Sequence, residues 1–389
     1  DKLCGQCKTE MSSYAIYRLP YHDHCTLVMQ THGEPLVVPS LAELNGKDGF
    51  VIAPFSASQD CPILLLKPDV IETMQVKHAC QFFPQFSLKE EKASTLTTCP
   101  PSISSKVGER LEAHYAIDFA NFHAQLEAGA FSKIVLARRV TVTTDESISP
   151  EDLFMHACNL YPRMFVALVS TEKNGTWLVA TPETLLEGNG NRWHTMALAG
   201  TIKLSGEQLG FDNPPSADMT GKMYNAQPIA WSDKNIQEQR YVATYITQCL
   251  ERFTDDFTEK GPYTARAGNL VHLRSDFNFK LDDVTCLGDV INELHPTPAV
   301  CGIPKEDARE FILANESVPR KYYSGFMGIL NPNGDTNIYV SLRCMQIDGN
   351  MYGLYAGGGL LIDSVEKQEW GETEAKMKTM KRCLVTKKI

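Results

Sequence analysis

The chain has 389 residues, enough for one large domain or two ordinary ones and for a sizeable core. Hydrophobic residues make up 43% and charged residues 22%; no apolar run reaches membrane-spanning length and the first residues carry no secretory pattern, so a soluble cytoplasmic protein is expected. A formal charge of −10 without clusters of Lys and Arg argues against a nucleic-acid partner.

Taken in chain order, short strand-like runs come first, over Tyr14–Leu19, Thr26–Gln30, Phe50–Pro54 and Ile63–Leu66, separated by Pro and Gly. Residues 94–106, rich in Ser, Thr and Pro, read as a loop or linker, and a helix is expected over Val107–Gly129. A first antiparallel meander follows through Lys133–Val142, Phe165–Ser170, Trp177–Ala180 and Arg192–Leu198, with a hairpin turn at Asn189-Gly190-Asn191. Helices are expected over Lys234–Glu251 and Asp307–Asn315. A second meander runs through Phe326–Leu330, Ile338–Met345 and Met351–Tyr355, turning at Asn333-Gly334 and Asp348-Gly349, and a last helix covers Val365–Leu384. Strands gathered in two blocks with helices between predict an α+β fold rather than alternating parallel βαβ units.

The 12 cysteines are scattered from Cys4 to Cys383, mostly inside apolar runs such as those around Cys158, Cys249, Cys286 and Cys344. They read as small buried hydrophobes rather than a disulfide framework. Cys4-x-x-Cys7 has no second pair at zinc-ribbon spacing, and His22-Asp23-His24 reads as a polar loop, so no zinc site is expected at either.

Several charged residues stand where a core should be. In the Lys234–Glu251 helix, Tyr241, Val242, Tyr245, Ile246 and Cys249 share a face with Glu238, which therefore points with the buried stripe. A carboxylate there must pair with a cation or bind a metal. The last helix has an inward stripe of Trp370, Thr373, Met377, Met380 and Leu384, with Glu369, Glu372 and Lys376 on one flank, within about 60° of one another. That flank is either an exposed ion-pair network or a carboxylate site. It follows Tyr355-Ala356-Gly357-Gly358-Gly359-Leu360, where three glycines suggest a backbone nest for an anion. Together the two features suggest a carboxylate substrate bridged to Mg²⁺. Strand alternation over Ile338–Cys344 puts Arg343 on the face of Tyr339 and Ser341, either in a structural pair or forking a substrate carboxylate.

These pieces resemble the chorismate-utilising enzymes, which comprise the isochorismate, salicylate, anthranilate and aminodeoxychorismate synthases. The motifs carrying the resemblance are Lys133–Arg138, Thr181-Pro182-Glu183, Leu198-Ala199-Gly200-Thr201, His295-Pro296-Thr297-Pro298-Ala299, Tyr323-Ser324-Gly325, Arg343, Ala356–Leu360 and Glu369–Lys376, in the family's order. The resemblance implies one large α+β domain of two packed, mainly antiparallel sheets with helices outside. Residues 1–106 would be the variable part and 107–389 the chorismate-binding part. It further implies that Glu238 and Glu372 hold Mg²⁺ with Glu369 in support, and that Arg343, Lys376 and the Gly357 region bind the substrate carboxylates. Gly200, Thr201, Tyr323 and His295 would contact substrate.

Lys133 separates the branches, because members that add ammonia carry Gln there and members that add water carry Lys. Water must lose a proton to attack, so a base is needed, and a Lys of ordinary pKa about 10.4 must be lowered to serve. Glu183 would be the acid that protonates the departing C4 hydroxyl. The resemblance thus implies isochorismate synthesis without a glutaminase partner, with salicylate synthesis as the alternative. One departure is Lys234-Asn235-Ile236-Gln237-Glu238-Gln239, where the family usually has Lys-Asp-Arg-x-Glu-His.

Overall fold

The computed structural model describes residues 13–82, 105–204, 229–267 and 269–385. Expectations for Cys4, Cys7 and most of 94–106 lie outside them. The N-terminal strands are β1 (Ser13–Arg18), β2 (His24–Gln30), β3 (Leu36–Val38), β4 (Gly49–Ala53), β5 (Ile63–Leu66) and β6 (Val70–Gln75). Helix α1 (Ser105–Glu127), β7 (Lys133–Thr143), α2 (Pro150–Leu160), β8 (Phe165–Thr171), β9 (Gly175–Thr181), β10 (Thr184–Asn189) and β11 (Arg192–Lys203) follow. The central stretch holds α3 (Asp233–Leu250), β12 (Phe257–Ala267), β13 (Leu270–Lys280), α4 (Leu287–Leu294), β14 (Gly302–Ile303) and α5 (Lys305–Asn315). Last come β15 (Phe326–Leu330), β16 (Thr336–Val340), β17 (Cys344–Asp348), β18 (Met351–Leu360) and α6 (Glu366–Cys383).

The strands form two nine-stranded sheets, one ordered β14-β7-β18-β17-β9-β8-β1-β2-β6 and the other β12-β13-β11-β10-β16-β15-β4-β5-β3. The pairings are antiparallel, as expected, but neither block of strands stays in one sheet: β7, β8 and β9 of the first expected meander lie in one and β10 and β11 in the other. The N-terminal strands extend both sheets, so residues before α1 are part of the same layers. Where the sheets face each other, Phe165, Ala167, Val169 and Trp177 of one pack with Phe50, Ile52, Leu64 and Met327 of the other. Helices cover the outer faces: α2 and α6 on the first sheet, α3 and α4 on the second. Burying these apolar faces at about 25 cal/mol per Å² drives the layering.

Local chemistry explains several elements. Ser149 caps α2 by accepting from the amide of Asp152, with Pro150 in the first turn. Ser232 caps α3 in the same way through Asn235. The Asn189–Arg192 hairpin closes at Gly190 with φ +58°, a left-handed conformation suited to glycine.

Three expectations need correction. The long β12–β13 hairpin was not among the expected elements, because its two strands mix exposed charges with apolar residues and blur the alternation. The expected strand over Ile338–Met345 is two strands in different sheets, β16 ending at Val340 and β17 starting at Cys344. Arg343 sits in the crossover with φ +44°, so strand alternation does not set its direction. Finally, Gly357, Gly358 and Gly359 do not form a nest; they continue β18 opposite Ala137, Leu136 and Val135 of β7. Their backbone is spent on a ladder, and their value lies in lacking side chains.

Candidate active site

A narrow cavity of about 60 Å³ lies where the two sheets, α3 and the Ala299–Val300 turn meet. Glycines shape two of its walls. The β11–β13 pairing slips between Ala199 and Ile202, which turns Gly200 and Thr201 out of the ladder. Gly200 has φ +70°, and a Cβ on it would come 3.1 Å from Cβ of Asn235 at the start of α3. The bare backbone of Gly357–Gly359 forms the opposite wall. A Cβ on Gly357 would stand 2.9 Å from the Tyr323 hydroxyl, and one on Gly359 would stand 2.2 Å from Oε1 of Glu238. Only glycine permits that approach.

The cavity is lined by eight of the residues singled out in the sequence: Glu183, Gly200, Thr201, Glu238, Tyr323, Arg343, Gly357 and Lys376. Lys133 stands immediately behind this wall. It is fully buried, donates to the carbonyl of Pro298 at 2.6 Å, and lies 3.3 Å from Oε1 of Glu238. Burial lowers its pKa, against the pull of Glu238 and Glu183, and the Lys376 charge lowers it further. Glu183 is equally enclosed. Burial raises its carboxyl to about 8, although Lys133, Lys376 and Arg343 all pull it down. Near neutral pH it holds a proton to give.

Arg343 is buried, and burial brings its guanidinium down to about 10, still charged at neutral pH. It donates to Nε2 of His272 at 2.5 Å and to the carbonyl of Ala267 at 3.3 Å. Lys376 donates to the Gly357 carbonyl at 2.8 Å and pairs with Glu372 at 2.7 Å, which leaves one of its three N–H groups for a ligand. Two cations therefore border a cavity whose other polar groups are carboxyls, the His272 imidazole, backbone and hydroxyls, an arrangement suited to a small molecule bearing carboxylates.

Three carboxylates gather along Gly358–Gly359, each held by its own lysine: Glu238 by Lys133, Glu372 by Lys376, and Glu369 by Lys234. A Cβ on Gly358 would meet Oε2 of Glu369 at 3.2 Å and Oε1 of Glu372 at 3.7 Å. This all-oxygen donor set along a bare backbone fits a hard divalent cation. As they stand the three are separate ion pairs, and among the described residues no three acidic, His or Cys side chains form a closed metal cage.

His295 is the exception among the expected site residues. It does not line this cavity; its Nε2 lies 3.1 Å from the carbonyl oxygen of Pro54, its ring packs edge-on against Phe326, and it borders a different depression. Further along the same motif Ala299 and Val300, not His295, reach the cavity. Two residues at the site were given no role from the sequence. His272 reads as one polar position in an alternating strand, and only its contact with Arg343 marks it. Lys234 was visible in a motif, but its bond to Glu369 spans 135 residues.

Fold and site together describe a protein with a polar, cation-bordered cavity between two antiparallel sheets. The chorismate binding enzyme family matches residues 64–385, and the chain belongs to that family. It is 33% identical over 271 residues to isochorismate synthase DhbC of Bacillus subtilis, covering 67% of this chain and 65% of that protein. It is 26% identical over 280 residues to the vibriobactin-specific isochorismate synthase of Vibrio cholerae, covering 72% of this chain and 67% of that protein. The matches thus span about two thirds of the relatives' own length. In three dimensions the crystal structure of DhbC from Bacillus anthracis superposes with a TM-score of 0.73 at 22% identity, over 97% of each chain, which shows the shared fold. Among the described residues no helix is long and apolar enough to cross a membrane.

Proposed function

We propose that the protein is an isochorismate synthase, adding water at C2 of chorismate and expelling the C4 hydroxyl. One observation carries this reading. A buried glutamic acid raised to about 8 lines a cavity bordered by two cations, and a buried lysine of lowered pKa stands just behind its glycine wall. The relatives named as isochorismate synthases support it.

In this mechanism Arg343 and Lys376 hold the substrate carboxylates. Lys133, once it has given up its own proton and with it the ion pair to Glu238, takes a proton from water as the water oxygen bonds to C2. The ring double bonds shift, the C4–O bond breaks, and Glu183 delivers a proton to the departing hydroxyl, which leaves as water. Atoms balance, so the reaction is a reversible isomerisation, and exchange with solvent returns Lys133 and Glu183 to their starting states. Glu238 and Glu372, with Glu369, are the residues that would hold Mg²⁺; when bound, the ion supplies positive charge against a substrate carboxylate. No glutaminase subunit is needed, since no ammonia is used.

The test is incubation of the purified protein with chorismate and Mg²⁺ and chromatographic analysis of the products. Isochorismate should accumulate to equilibrium with chorismate, EDTA should stop turnover, and Mg²⁺ should restore it. Stoichiometric pyruvate with salicylate, or anthranilate on adding ammonium, would refute the assignment; full turnover in excess EDTA would refute the metal.

A further inference from the structure

The three Lys–Glu pairs along Gly358–Gly359 are not alike. Lys133 and Lys376 are each tied to a backbone carbonyl as well, of Pro298 at 2.6 Å and Gly357 at 2.8 Å, so neither can leave without abandoning a second bond. Lys234 has Glu369 as its one hydrogen-bonded partner among the described residues, with Glu238 and Glu372 farther off, and its side chain is 25% exposed while that of Glu369 is 2% exposed. The exposed partner can swing into water; the buried one cannot. Glu369 has a second donor, the Ser364 hydroxyl at 2.9 Å on Oε1, and its Oε2 faces Gly358. Losing Lys234 would therefore leave the carboxylate in place, oriented and in need of positive charge.

Helix preference gives no other reason for this lysine. It lies in the first turn of α3, one residue after Asp233, where the helix dipole disfavours a cation. Its place is explained by the carboxylate it reaches across the site.

We propose that Lys234 is the displaceable counterion of Glu369, competing with the divalent cation for this carboxylate and so setting how weakly the enzyme holds its metal. The inference rests on the metal reading given under the proposed function. A buried carboxylate is costly without a partner. Lys234 supplies a charge tethered to the chain, and the metal must displace it. Removing the tethered charge takes away the competitor, and an ion in solution then becomes the sole counterion on offer.

The experiment is titration of the chelator-stripped full chain with Mn²⁺, read by electron paramagnetic resonance and by the shift of the thermal midpoint, in wild type, Lys234→Met, Lys234→Gln and Lys234→Arg. Both neutral variants should bind Mn²⁺ on the order of tenfold more tightly than wild type and gain a larger midpoint shift from it. Lys234→Arg should stay near wild type, because it keeps the competing charge. Two neutral variants guard against one failing to fold. Unchanged or weaker Mn²⁺ affinity in them, with binding intact in wild type, would overturn this inference alone. Absence of Mn²⁺ binding in wild type and every variant would overturn the metal reading and this inference with it.

Discussion

Arg343 donates from Nη2 to Nε2 of His272 across 2.5 Å, and this contact decides which nitrogen of the imidazole carries its proton. An arginine cannot accept, so Nε2 presents its lone pair and the proton sits on Nδ1. Nδ1 then donates to the Gly200 carbonyl at 2.9 Å. Burial, and after it the charges of Arg343 and Lys376, hold the His272 pKa well below its ordinary value, so the ring stays neutral. One histidine thus ties the arginine in the crossover between sheets to the glycine that turns out of β11.

This tie should matter more to substrate affinity than to chemistry. His272→Leu removes an acceptor for a charged donor, an interaction of about 1.5–3 kcal/mol. We expect the KM for chorismate to rise at least about tenfold, with kcat changing less, and His272→Gln to recover part of the loss. Steady-state kinetics in which KM stays at the wild-type value would show that Arg343 needs no such anchor.

Lys133 and Glu183 should show the opposite emphasis. Lys133→Ala and Glu183→Gln should each lower kcat by about a hundredfold or more, with smaller effects on binding. The base works above its pKa and the acid below its own, so kcat should fall as pH rises through about 8, where Glu183 loses its proton. The residual activity of Glu183→Gln should lose that alkaline fall. A Lys133→Ala enzyme keeping more than about a tenth of wild-type kcat would overturn the assignment of the base.

Two glycines provide a matched pair of substitutions. A Cβ on Gly359 would lie 2.2 Å from Oε1 of Glu238 and 2.8 Å from Cε of Lys133, so Gly359→Ala must push these side chains out of place. It should cost about a hundredfold or more in kcat, with the circular dichroism spectrum unchanged. Gly371, inside α6, has nothing within 4 Å of its would-be Cβ. Gly371→Ala should raise stability by up to about 1 kcal/mol. Near-normal turnover in the Gly359 variant would remove the reason given for the glycine wall.

The fourth prediction concerns stability. Arg320 and Glu316 form a pair with side chains 3% exposed. Arg320 donates to the carbonyls of Val135 and Val300, while Glu316 accepts from the amide of Ala137. The pair takes the place of a strand neighbour along β7 where the two-residue β14 stops. Arg320→Met should strand Glu316 in the core and lower the unfolding free energy by about 3–5 kcal/mol. Urea denaturation showing a loss under about 1 kcal/mol would mean that water reaches the pair.

Much of the fold was legible along the chain because strand and helix periodicities are local. Glu238 was read as facing the buried stripe of its helix, and it does, with Val242, Ile246 and Cys249 buried beside it. Helix α6 likewise buries Thr373, Met377 and Met380. Failures came where a feature depends on partners distant in sequence. Strand alternation misplaced Arg343 because the chain changes sheets at residues 341–343, and three glycines in a row looked like an anion nest because nothing nearby reveals that β7 pairs with them. His295 was carried along with its motif, whereas its ring turns to Pro54.

The sequence by itself determined the α+β class, the family and most of the polar residues at the cavity, since amphipathic spacing and ordered motifs are written in neighbouring positions. Tertiary structure alone decided how those residues pair. Lys133 with Glu238, Lys234 with Glu369 and Arg343 with His272 join residues 105, 135 and 71 positions apart. Such pairs set pKa values and orientation through burial and distance, and both exist only once two sheets and a helix have closed around the same few ångströms.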